Sequence, residues 1–66
     1  MSNRLEDELI PIMREMADTL GQLRARLIMG DTAKELEGYV DTITIEAGRL
    51  YDALDRVIES EEREIV

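Results

Sequence analysis

The sequence predicts an all-α fold, an antiparallel two-helix hairpin. Three observations carry this. Leu9, Met13, Met16, Leu20, Leu23 and Leu27 recur at alternating spacings of four and three. So do Leu36, Val40, Ile43, Ala47, Leu50, Leu54 and Val57. Between the two series stands "MGDTAKE", residues 29–35, which carries a stop signal and a start signal back to back. Four-three alternation is the a/d pattern of helices that pack along a seam, and no ionisable residue breaks either series.

The first series places helix 1 at about residues 4–29. Asn3 and Glu6 have the spacing of a capping pair at its start. Pro11 lies inside it, where it removes one backbone donor and crowds the carbonyl of Asp7. The expectation is a continuous helix, kinked at that point. Gly30 suits the left-handed position that closes a helix. Thr32 and Glu35 then form a T-x-x-E capping box, which puts the turn at 30–32 and helix 2 at about 33–61. Arg24 and Arg26 near the end of helix 1, and Asp31, Glu35 and Glu37 near the start of helix 2, complement the two macrodipoles. A turn this short makes the helices antiparallel neighbours.

Residues 39–48, "YVDTITIEAG", look locally like a strand, with β-branched residues in alternation. A lone strand would have no partner in the chain, and the a/d series runs straight through Val40, Ile43 and Ala47. Helix is expected. Gly21, Gly38 and Gly48 fall outward in this frame, each costing about 1 kcal/mol against Ala. They are either tolerated weaknesses or places where a partner's backbone approaches.

The chain is a single small domain of 66 residues without Cys or His and with only two aromatic residues, Tyr39 and Tyr51. So short a chain buries little apolar surface by itself. The stripe is also wider than one seam. Ile10, Ile12 and Ala17 flank the first series, and Tyr39, Tyr51, Ala53 and Ile58 the second. That width fits a bundle of three or more helices. The simplest completion is a two-fold homodimer forming a four-helix bundle, in which the thirteen residues of the two series provide core and self-association.

Net charge is −8. Residues 1–30 hold four bases against five acids, and residues 31–66 four against eleven. An acidic surface repels nucleic-acid backbones and anionic membranes, so neither is an expected partner, whereas a basic protein is compatible. There is no secretory leader pattern and no apolar run approaching the roughly 20 residues that span a bilayer, which makes a cytoplasmic location the expectation.

Nothing points to catalysis. Catalysis needs a nucleophile, an acid/base pair or a metal; Cys and His are missing, and Ser2 and Ser60 lie near the ends. No phosphate-binding loop, HExxH motif or calcium loop occurs. Carboxylates pair at helical spacing, Glu15 with Asp18, Asp52 with Asp55 and Glu59 with Glu62, but Glu15, Asp18, Asp52 and Asp55 fall at outward positions, where metal-binding bundles need them inward. No cofactor and no metal are expected. Closing the hairpin at residues 30–32 should gather Glu6, Asp7 and Glu8 with Glu59, Glu61, Glu62 and Glu64 at one acidic pole, beside Arg4, Arg56 and Arg63. Mutual repulsion and an unfavourable macrodipole should fray the tail, residues 62–66. These acids, with the out-of-frame Ile45, are the candidate partner contacts.

The expected function is a non-catalytic, acidic protein–protein interaction module, an adaptor or regulator acting as a homodimer. Two alternatives stand beside it. One is an inhibitor of a nucleic-acid-binding protein, from a phage or mobile element, with the acidic pole as decoy. The other is a structural subunit of a larger helical assembly.

Overall fold

The chain reverses once, at Gly30. The computed structural model describes residues 4–65, with side chains through residue 63. The Asn3 half of the Asn3–Glu6 pair and Val66 at the end of the tail lie outside them. Helix α1 spans Arg4–Met29 and helix α2 spans Ala33–Ile65. They pack side by side, and no strand occurs among the described residues.

The turn is built from backbone chemistry. Gly30 has φ 92°, a left-handed conformation that strains any residue with a Cβ. Its N–H donates to the Leu27 carbonyl at 3.2 Å, and the Asp31 N–H donates to the Arg26 carbonyl at 3.1 Å. This pair of bonds is the Schellman arrangement, and it satisfies carbonyls that the end of α1 would leave bare. Two residues later Thr32 caps α2. Its Oγ1 accepts from the Glu35 N–H at 3.3 Å and donates to Glu35 Oε1 at 3.2 Å. The Glu35 carboxylate thus meets the Thr32 hydroxyl. Arg26 Nε lies 3.7 Å from Asp31 Oδ2, which ties the last turn of α1 to the reversal.

Helix α1 is continuous through Pro11. The β-branched run in α2 is helical, and its threonines show how. The hydroxyls of Thr42 and Thr44 donate back to the carbonyls of Gly38 and Val40, at 3.0 and 2.9 Å. Each polar tip is satisfied within its own helix, so the run needs no neighbouring strand.

Helix α2 continues four residues past the expected end at 61. Glu61, Glu62 and Arg63 are good helix formers, and no Gly or Pro stops them. Repulsion among exposed acids amounts to a few tenths of a kcal/mol per pair and does not break such a run.

The two helices make one layer. Their Cα atoms fill a slab of 54 × 21 × 9 Å. The radius of gyration is 15.8 Å, against about 11 Å for a compact chain of this length. Among the described residues only Ala53 and Val57 are buried hydrophobics, and no large side chain is fully buried.

Candidate interaction surface

Which residues line the inter-helix seam follows from burial. On α1 they are Glu8, Leu9, Ile12, Met16, Thr19 and Leu23. On α2 they are Leu36, Tyr39, Ile43, Glu46, Leu50, Ala53, Val57 and Ser60. Three of the six residues of the first series, Leu9, Met16 and Leu23, and four of the seven of the second, Leu36, Ile43, Leu50 and Val57, are therefore in place. The rest are not. Met13, Leu20, Leu27, Val40, Ala47 and Leu54 are exposed, Leu20 by 50% and Leu27 by 62%. In their place the seam takes the adjoining heptad row, Ile12 and Thr19 on α1 and Tyr39, Glu46, Ala53 and Ser60 on α2.

The reason is steric. Ala53 is wholly buried, and a methyl side chain lets the helices approach where Leu54 would hold them apart. Each helix is thus rotated away from the frame that the large aliphatics alone suggest.

This rotation sorts the hairpin into two unlike faces. Successive residues advance about 100° around a helix, so Glu15 lies on one flank of the seam residues Ile12 and Thr19, and Met13 and Leu20 on the other. Three polar contacts cross between the helices on the Glu15 flank. Arg49 Nη1 donates to Glu15 Oε2 at 3.0 Å, Arg26 Nε to the Tyr39 hydroxyl at 3.4 Å, and Arg4 Nη1 to Ser60 Oγ. Tyr39 and Asp31 raise the Arg26 pKa further, so it stays a cation wherever the fold exists. On the opposite flank Met13, Leu20 and Leu27 from α1 stand beside Val40, Ala47 and Leu54 from α2. No polar contact between the helices is recorded on that flank among the described residues. Its edges are the shared residues Leu9, Met16, Leu23, Leu36, Ile43 and Leu50. A depression lined by Ala33, Lys34, Leu36, Glu37 and Val40 marks its end near the turn, too open to enclose a ligand.

The chain exposes 5385 Å², about 1,100 Å² more than a compact protein of 7.6 kDa. That excess is close to the ~800 Å² each partner buries in a standard interface.

Two buried polar residues sit inside the seam, and neither stands out in the sequence. The Thr19 hydroxyl donates to the Glu15 carbonyl at 3.1 Å. Glu46 is only 7% exposed, and its Oε1 has no hydrogen-bond partner. The register fixed by Glu15–Arg49 and Arg4–Ser60 brings Glu46 level with Thr19. Its seam position was readable in principle, because Tyr39, Glu46 and Ala53 form a heptad row parallel to Leu36, Ile43 and Leu50.

The Arg4–Ser60 contact sets the start of α1 beside the end of α2 and so gathers the acids of both ends. Glu6, Asp7, Glu59, Glu61 and Glu62 are exposed there, and Glu8 is half-buried in the seam. Ile45 is exposed on α2, outside both the seam and the apolar face. The carboxylates at Asp18, Asp52 and Asp55 are also exposed, while Glu15 is engaged by Arg49. No group of three or more side chains able to hold a metal ion occurs among the described residues. No helix among them is long and apolar enough to cross a membrane. No family model, curated protein or solved structure matches the chain.

Proposed function

We propose that the protein is a non-catalytic protein–protein interaction module, an adaptor or regulator, whose apolar face is covered by a second copy of itself to make a four-helix bundle. The observation that carries this is the two-faced hairpin, polar contacts on one flank and Met13, Leu20, Leu27, Val40, Ala47 and Leu54 bare on the other. A row of neighbouring exposed aliphatic side chains of this kind is ordinarily an interface. Sedimentation equilibrium tests the self-association. Twice the mass of 7.6 kDa is expected at micromolar concentration. A lone chain that stays folded at millimolar concentration overturns it. A chain that folds only with an unlike partner supports the structural-subunit alternative instead.

A second reading concerns the surface left outside that bundle. Glu37, Asp41, Asp52, Asp55, Glu59 and Glu62 are all exposed and lie along the outer edge of α2. In this reading that edge and the acidic pole engage a basic protein, in the limit as a decoy for a nucleic-acid backbone. Competition with DNA for the basic target, weakening steeply with salt, would support it.

A further inference from the structure

We infer that the second copy lies with its turn at the opposite end, α1 on α1 and α2 on α2, with the two-fold axis passing between the two Ala47 residues. This rests on the reading that a second copy covers the apolar face.

Two face-to-face packings preserve a two-fold axis. With the axis along the helices, both turns share an end and α1 lies over the partner's α2. With the axis across the helices, the turns lie at opposite ends and like helices pack antiparallel. The charge at the two ends separates them. The open pole, residues 4–8 and 59–63, holds six acids against two bases, net −4. The turn end, residues 24–37, holds three of each and is neutral. Turns at one end would set two −4 poles side by side, within the range where salt screens them incompletely. Turns at opposite ends put each acidic pole beside a neutral tip.

The helix dipoles are alike in both packings, because the contacting helices run antiparallel in each, so the charges beside the helix ends decide. Glu59, Glu61 and Glu62 crowd the negative end of their own α2. With the axis at Ala47, residue 61 comes level with residue 33 of the partner. The glutamates then stand near the positive start of the partner's α2, beside the exposed Lys34 ammonium.

The apolar row has matching symmetry. Val40, Ala47 and Leu54 are large, small and large about Ala47, so Val40 meets the partner's Leu54 while the two alanines allow close approach. Leu36 comes level with the partner's Ile58. On α1, Glu15 pairs with Arg49, so Ala47 is level with Ala17, and Met13 falls opposite the partner's Leu20.

Two single-cysteine variants of the full chain test this. Ala47→Cys should form a disulfide-linked dimer on mild oxidation. Lys34→Cys carrying a spin label should give an inter-label distance of about 40 Å, the rise over twice thirteen residues. A discrete dimer with labels about 10–20 Å apart, and no cross-link through position 47, overturns the orientation and leaves the dimer standing. A monomer in sedimentation removes the reading beneath it.

Discussion

Arg49 Nη1 donates to Glu15 Oε2 across 3.0 Å, joining residues 34 apart in the chain on the flank opposite Leu20 and Ala47. Both side chains are about half exposed, so the bond orients more than it stabilises. A cycle of Glu15→Gln, Arg49→Gln and the double variant should give a coupling of at most about 1 kcal/mol, shrinking in high salt. Urea unfolding at fixed protein concentration measures it. A coupling of several kcal/mol would mean the pair is shielded from water.

Glu46 is the clearest local defect. A buried carboxylate oxygen without a partner opposes folding, so Glu46→Leu should stabilise by about 1–4 kcal/mol. Thermal melts at matched concentration give the sign. A loss of stability would show that the carboxylate has a partner in solution or enforces register.

The wholly buried Ala53 predicts the opposite response to added bulk. Ala53→Leu should cost about 1–3 kcal/mol by forcing the helices apart. Ala47→Leu, on the exposed row, has no such clash within the hairpin. Comparing the two melts separates seam from open face.

Glycines divide by backbone conformation. Gly30→Ala should destabilise by about 1–2 kcal/mol, because its φ is left-handed. Gly21→Ala and Gly48→Ala should each stabilise by about 1 kcal/mol, since a Cβ at either meets nothing within 4 Å. A large loss at Gly21 or Gly48 would reveal a surface pressed against another backbone.

Leu20→Gln together with Leu54→Gln should shift sedimentation toward the single-chain mass. Ile45→Gln, outside both the seam and the apolar face, should leave it unchanged. Equal effects would mean that the face is not the seat of association.

The helices and turn were legible because their signals are local. Gly30 and the Thr32–Glu35 pair fix the reversal within six residues, and heptad spacing fixes the helices around it. The rotation of each helix was less legible. Leu20 and Leu54 look like seam residues on hydrophobicity alone, whereas close packing favours Ala53 and tolerates Thr19 and Glu46 within reach of the interface. The end of α2 was misjudged for a related reason. Unfavourable charges near Glu61 and Glu62 suggested fraying, but chain propensity without a breaker carries the helix to Ile65. The nearness of the chain's two acidic ends is a consequence of where the turn falls.

A slab whose Cα atoms span 9 Å in thickness shields few hydrophobic side chains beyond Ala53 and Val57 among its described residues. Anything that settles on its bare side also shores up the folded form, so binding and survival draw on the same free energy. Chains left without company spend more time open to proteases. If a second copy covers that side, turnover should follow occupancy, with unpartnered copies cleared first.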